Sequence, residues 1–348
     1  MEIVAKKVKE EKEFRIICSE DFNATLAAKV RKAFSLPGVY PEVVENYTNK
    51  FLQKELLQKA GIPIPQYFAL NILNPVEKAE IVFKDAQERL GIPFIIKPRD
   101  LYGTIGVAKI SSMEELKHYF QCNDHYQEFI LEEYIEGQLY HCDLFCQEGK
   151  YLFSEACEYT FNGLSFVKGK NHGSMPLQKE DPLREKIIHF CQKANNILSL
   201  LDGCSHHEVF VTLGNEIVFL ESGPKPPRSF VPLIYKKMFG INLLNLSLLA
   251  EAGIKIKMEY QNREPHFWCM FPKKKGIVAR LFMPKLKSKI VEFKWYVQPG
   301  QRINNSRWTV DRAGFAIVSN KDYANLKNDF QVMKQFAPYS LEEAKIAI

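Results

Sequence analysis

Apolar residues at 51, 52, 56 and 57 in YTNKFLQKELLQKA recur at helical spacing and predict a helix from Tyr47 to Ala60. Gly61-Ile62-Pro63-Ile64-Pro65 ends it and leads into an extended segment. The same reading gives an Ala-rich helix ending near Phe34 and further helices at 75–90, 113–120, 183–201, 232–239, 243–252 and 323–336. Residues 14–18 are a short apolar run, and further runs predict strands at 93–97, 129–133, 140–146 and 151–157, and again in FWCMF, GIVARLFM, IVEFKWYV and AGFAIVS. Two stretches break the pattern. RDLYGTIGVAKI carries Gly103 and Gly106, and residues 162–179 are mostly polar with Gly163, Gly169, Gly173 and Pro176. The first reads as a loop leading into a short strand, the second as a mobile loop.

HHEVFVTLGNEIVFLES predicts a hairpin about Gly214-Asn215. A two-residue turn there would oppose Val211 to Val218, Phe210 to Phe219, Val209 to Leu220 and Glu208 to Glu221. Cross-strand partners lie roughly 4.5–5.5 Å apart at Cβ, and like charges so placed repel. A shared proton, a pair of basic side chains or a divalent ion would offset that repulsion; otherwise the strand ends fray into solvent. Oxygen ligands of this kind suit Mg²⁺, which one or two carboxylates hold together with substrate phosphates.

The 348 residues are 46% hydrophobic and 25% charged, values of a globular chain long enough for two or three domains. Net charge is +6, but the basic residues are interleaved with acids, so no nucleic-acid stripe forms, while small anionic ligands remain compatible. Eight cysteines without a CxxC pair read as reduced thiols in a cytoplasmic protein. No signal peptide and no apolar run of membrane-spanning length is visible, which predicts no membrane partner. No P-loop motif occurs and no GxGxxG follows a strand, so those two nucleotide sites lack support.

Four elements suggest one chemistry. Lys97 closes the run PFIIK beside the glycine loop, LEEYIEG (131–137) offers an extended edge for a base, Glu208 faces Glu221, and Lys225 and Arg228 follow in GPKPPRS. With YTNKFLQKELLQKAGIPIP, PFIIKPRDLYGTIGV and LEEYIEGQLYHCDLF in this order, the chain resembles the ATP-grasp superfamily of carboxylate–amine ligases. The likeness is to its YHxD branch, near ligases similar to carnosine synthase and biotin carboxylase.

The resemblance implies an α+β ATP-grasp fold, two α+β lobes sandwiching ATP, with a truncated Rossmann-like N-terminal segment and a strand-rich C-terminal lobe. The implied division is residues 1–46, an ATP-grasp core at 47–256 split into 47–136 and 137–256, and a β-rich lobe at 257–348. It implies ATP with Mg²⁺ or Mn²⁺, phosphate contacts from Lys50 and Lys97, and a phosphate-covering loop with Gly103, Thr104 and Gly106. Glu132, Glu133, Tyr134 and Ile135 would read adenine, with the Glu132 carboxylate accepting from its amino group. Glu208 and Glu221 would hold the metal, and Lys225 and Arg228 would act at the transferred phosphoryl group.

The sequence departs from the family in three places. Leu139 stands where an acid often binds ribose, with His141 or Asp143 as substitutes. The E-x-N metal motif reads Glu221-Ser222-Gly223, and only 49 residues precede Lys50. The last point leaves a second copy or a partner subunit to complete the N-terminal domain. The implied activity is ligation of a small carboxylate, activated as an acylphosphate, to an amine; the alternative is a non-catalytic ATP-binding module acting through a partner.

Overall fold

A computed structural model describes residues 3, 4, 7, 13–18, 21–99, 105–123 and 127–342. The chain divides into two compact units. The first comprises Met1–Ala156, Glu185–Pro227 and Leu243–Met258, and the second Cys157–Arg184, Arg228–Asn242 and Glu259–Ile348.

The first unit begins with α1 (Asp21–Ala33), α2 (Pro41–Thr48) and α3 (Lys50–Lys59). The helix predicted for 47–60 is thus two. Asn49 separates them in an extended conformation, and its side-chain oxygen accepts from the amides of Phe51 and Leu52, both at 3.2 Å. The buried positions of α3 also differ from the apolar stripe: Gln53, Lys54 and Leu57 are buried, and Phe51, Leu52 and Leu56 only partly. A polar face is turned inward because it meets a charged site rather than a core.

A four-stranded antiparallel sheet follows, with β1 (Tyr67–Asn71), β2 (Phe94–Pro98), β3 (Ala108–Ile110) and β4 (Glu128–Glu133) in the order β1-β4-β2-β3. Helices α4 (Ala79–Leu90) and α5 (Met113–Cys122) contribute Val82, Ala86, Leu116 and Phe120 to a core with Phe94, Ile96, Phe129 and Leu131 from the strands. The even positions of β2 and odd positions of β4 bury this face, as alternation requires. Lys97 and Glu132 therefore point to the opposite face. A second sheet in this unit orders β6 (Lys150–Tyr159), β5 (Gly137–Gln147), β8 (Gly203–Thr212) and β9 (Ile217–Gly223), with α7 (Pro182–Leu198) and α9 (Leu243–Glu251) completing the unit. The apolar run 14–18 forms no strand; the Cys18 amide instead donates to the Glu251 carboxylate at 2.7 Å.

In the second unit β7 (His172–Pro176), β10 (His266–Pro272), β14 (Arg312–Ser319) and β12 (Lys289–Trp295) are successive neighbours. A small sheet joins β13 (Arg302–Ile303), β11 (Gly276–Leu281) and β15 (Tyr339–Leu341). Helices α6 (Gly163–Val167), α8 (Val231–Phe239) and α10 (Tyr323–Gln335) complete it. Leu326, Phe330 and Met333 of α10 pack with Phe267, Cys269 and Phe271 of β10, an i, i+4, i+7 stripe against alternate strand residues.

The expectation of a mobile loop at 162–179 is overturned. Residues 163–167 are helical and all five residues of β7 are buried. β7 pairs with β10 through His172↔Met270, Gly173↔Cys269 and Ser174↔Trp268. The glycine that suggested a loop serves close approach instead: a Cβ on Gly173 would lie inside contact distance of the Trp268 carbonyl oxygen and 2.9 Å from Cys269 Cα. His172 stacks on Tyr159 at 5.0 Å and donates through Nδ1 to the Phe161 carbonyl, 3.0 Å away. This stretch is core, not lid. Gly173→Ala is expected to destabilise the protein by about 1–3 kcal/mol through overpacking against backbone, read as a lower denaturant midpoint. An unchanged midpoint would contradict this packing.

Among the described residues no helix is long and apolar enough to cross a membrane.

Candidate active site

Glu208 and Glu221 face each other across β8 and β9, and so do His207 with Ser222 and His206 with Gly223. Nearer the turn the pairing is Val209↔Phe219, Phe210↔Val218 and Val211↔Ile217, one residue displaced from expectation. Two features account for this. Asn215 takes a left-handed conformation at φ 62° and the Thr212 amide donates to the Glu216 carbonyl at 3.0 Å, which makes the turn one residue longer than a Gly214-Asn215 pair would. A bulge between Glu208 and Val209 then restores the register. The acids are opposed as predicted, whereas Phe210 and Phe219 are not.

Both acids line a recess of about 60 Å³ together with Lys50, Lys225 and His206. It lies wholly within the first unit. Helix α3 places Lys50 at its first residue and Gln53 one turn later. Gln53 holds the backbone of β9 in both directions, its Nε2 donating to the Ser222 carbonyl at 3.0 Å and its Oε1 accepting from the Ser222 amide at 3.1 Å. That pair fixes the residue next to Glu221. Gln53 is 1% exposed and was not singled out in the sequence, where a Gln inside a lysine-rich helix reads as surface.

Lys97 and Glu132 lie on adjacent strands, and Lys97 Nζ is 2.7 Å from Glu132 Oε1. Lys54 Nζ reaches the same oxygen at 3.1 Å. All three groups are buried. Burial alone would lower the Lys97 pKa, but the charges of Glu132, Glu221 and Glu208 outweigh it and raise it. Burial likewise opposes ionisation of Glu132, and Lys54 and Lys97 overcome it and hold the carboxyl below its ordinary value. For Lys54 burial wins and the pKa falls. Lys97 therefore has the acids of the recess within electrostatic reach, which ties the two groups of residues together.

Behind Glu208 stands a buried chain of polar groups. Asp143 is fully buried and meets His141 Nδ1 at 2.9 Å and His206 Nδ1 at 2.6 Å. His206 Nε2 lies 3.7 Å from Glu208 Oε1. Burial disfavours a charged His206, yet the Asp143 carboxylate lifts its pKa to about 10. The adjacent His207, also buried, is pushed down to about 3 by burial and by the His206 charge. His141, Asp143 and His206 are spaced closely enough to be considered as metal ligands. Ligands about 2.1 Å from one ion stand roughly 3 Å or more apart, so 2.6 Å marks a hydrogen bond. The trio is a hydrogen-bonded support for Glu208. It also seals His141 and Asp143 from solvent at 0% exposure, so neither side chain presents itself to a ribose.

Gly106, at φ 70°, ends the described part of the glycine loop. A Cβ there would stand 2.7 Å from Pro98 Cγ, and Tyr119 Oη donates to its carbonyl at 2.6 Å. Gly103 and Thr104 lie outside the described residues. Residues 131–133 are within β4, flanked by β1 and β2, so the backbone clear of the ladder begins at Tyr134. Glu133 accepts from the Gln66 amide at 3.1 Å, Lys109 Nζ stands 3.8 Å above the Tyr134 ring, and Ile135 is half-buried. Arg228 belongs to the second unit. Gly223 proves spatially meaningful: a Cβ there would meet Lys225 Cε at 3.1 Å, so the lysine stem crosses the place where a larger residue would start.

Residues 56–241, more than half of the chain, match the family described as D-ala D-ala ligase C-terminus. The fold is the ATP-grasp fold, and the chain belongs to that family. It is 25% identical over 240 residues to an L-arginine-specific L-amino acid ligase of Bacillus subtilis, covering 65% of this chain and 56% of that protein. The chain thus spans little more than half of that relative's length. In structure it resembles the L-amino acid ligase of Bacillus licheniformis, with a TM-score of 0.72, 17% identity, and coverage of 98% of this chain and 84% of the other. It also resembles the biotin carboxylase domain of Hydrogenobacter thermophilus 2-oxoglutarate carboxylase in complex with MgADP. There the TM-score is 0.64 at 14% identity, covering 97% and 77%.

Proposed function

We propose that this chain is an ATP- and Mg²⁺-dependent ligase that activates a small carboxylate as an acylphosphate and joins it to an amine. The observation that carries the reading is the opposed Glu208 and Glu221 in a recess shared with Lys50 and Lys225, within electrostatic reach of the buried Lys97, which Glu132 first and then these two acids lift. Family membership and the ligase relatives support it, as does the MgADP complex of a structural neighbour.

The residues suit the cation: two partly buried carboxylates in register, one braced by His206, offer the hard oxygen donors Mg²⁺ or Mn²⁺ takes. When bound, the ion supplies charge neutralisation between phosphate oxygens. Lys50 and Lys97 would bind phosphate oxygens, Lys225 would neutralise charge at the transferred phosphoryl, and Arg228 would meet a substrate carboxylate or phosphate. The loop with Gly103, Thr104 and Gly106 would cover the phosphates, and the backbone at Tyr134 and Ile135 would read the base. Substrates are small molecules, a carboxylate and an amine.

A second reading has one observation in its favour. At Gly223 the third metal ligand of the family pattern is missing and the Lys225 stem crosses the position, which suits a nucleotide-binding module without turnover. Purified protein, given Mg-ATP with a panel of amino acids and short-chain acids and amines, is expected to form ADP together with a C–N-linked product. ATP binding without ADP formation across the panel would sink the ligase reading and favour the second.

A further inference from the structure

Lys54 is not among the residues that the ligase reading uses, yet it is 1% exposed and sits one helical turn beyond Lys50 on α3. Its ammonium and that of Lys97 converge on one oxygen, Glu132 Oε1, at 3.1 and 2.7 Å. Neither Lys54 Nζ nor Glu132 Oε1 makes an aligned hydrogen bond among the described residues. The contacts are close ion pairs of two ammonium groups with a single carboxylate oxygen. The three groups carry one net positive charge in a place almost closed to water, and Lys54 has the Tyr67 ring 5.6 Å away as its other neighbour. A buried cluster with an excess cation is costly by itself, and it is relieved by an anion arriving at one of the lysines. Lys97 is the one with Glu221 and Glu208 within electrostatic reach.

We infer that Lys54 is a positioning residue for nucleotide binding: it retains the Glu132 carboxylate when Lys97 turns from that oxygen to a phosphate. The inference rests on the reading of the first unit as a nucleotide site. Two cations on one carboxylate oxygen make the exchange possible. With Lys97 alone, turning to phosphate would strip Glu132 of its only counter-charge in a buried position. With Lys54 present, the carboxylate stays paired at the start of the base-reading segment, and Lys97 leaves at little electrostatic cost. Lys54 touches neither phosphate nor reacting atoms in this scheme; it acts through Glu132.

The test is Mg-ATP affinity by calorimetry alongside thermal stability, in the full chain. Lys54→Met is expected to weaken ATP binding at least tenfold, with little loss in kcat at saturating ATP, because the surviving Lys97–Glu132 pair must now be broken. Lys54→Arg is expected to restore most of the affinity. If Lys54→Met does not fold, Glu132→Gln and the double variant Glu132→Gln/Lys54→Met carry the test. The inference requires both to bind ATP with equal affinity, since Lys54 has nothing left to hold. A folded Lys54→Met protein with unchanged ATP affinity, or a further tenfold loss in the double variant, would overturn it. Absence of ATP binding by the unmodified protein would overturn the nucleotide reading itself, and with it this inference.

Discussion

The double variant Glu208→Gln/Glu221→Gln is expected to lower Mg-dependent ADP formation at least about 10³-fold, equivalent to about 4 kcal/mol of transition-state stabilisation. The glutamines keep the shape and the hydrogen-bonding capacity of the strand ends while removing both charges that would hold the cation. Folding should survive. The repulsion of the two acids across the hairpin and their attraction for Lys97 and His206 oppose each other, so the melting temperature is expected to change little. Lower activity with a lowered melting temperature would point to damaged structure instead. Undiminished Mg-dependent turnover in a folded double variant would remove these acids from the metal site.

Asp143→Ala is expected to cost about 3–5 kcal/mol of stability near pH 5.5, the usual consequence of removing one member of a buried charged pair. The alanine would leave His206 without its strongest partner and His141 without the carboxylate at its Nδ1. The effect has a defined pH dependence. His206 is raised from 6.5 to about 10, so its contribution is complete below about pH 6.5 and is lost as pH rises towards 10. Asp143 is held well below its ordinary value by His141 and His206 despite burial, so its contribution is present above about pH 3.8 and lost in stronger acid. The penalty of Asp143→Ala should thus be greatest between about pH 4 and 6.5 and shrink towards pH 10. His207 has the reverse sign: held neutral with a pKa of about 3, it costs stability as pH falls from 6.5 in either protein, and so largely cancels in the difference. Denaturant titrations of both proteins at pH 5.5, 7.5 and 9.5 give the comparison. A penalty that stays flat across them would remove the charged His206–Asp143 pair.

Much of the architecture is legible in the chain because periodicity reports which side of an element is buried. Helices at 79–90, 113–122, 182–198 and 323–335, and the strands around them, fall close to where apolar spacing puts them. The candidate site is legible where it depends on register. Glu208 and Glu221 oppose each other in the structure as the sequence predicts, but through two deviations that cancel: a turn one residue longer, at 213–215, and a bulge after Glu208. Neither deviation can be read from alternation, since both depend on how the strands twist and on what packs against them. The polar interior of α3 was likewise hidden. Apolarity marks a buried face only when the neighbour is a core, and here the neighbours are Glu132 and the backbone of Ser222.

The segment at 172–176 shows the opposite error, since glycine and polar residues have two uses. They permit a loop in water, and they also permit a strand to approach another backbone closely, as Gly173 does at Trp268 and Cys269. For His141 the sequence puts a histidine near the site, and packing decides that its Nδ1 meets Asp143 in the interior.

By itself the sequence determined the order of elements, the mixed α+β class, the family pattern and the opposition of two acids, because these follow from local propensity, spacing and strand pairing. Only the tertiary structure decided which charges meet. Lys54 and Lys97 share one oxygen of Glu132, Asp143 joins two histidines behind Glu208, and Gly223 gives way to the stem of Lys225. Such contacts join residues remote in the chain, and their strength comes from burial, which no local pattern of residues records.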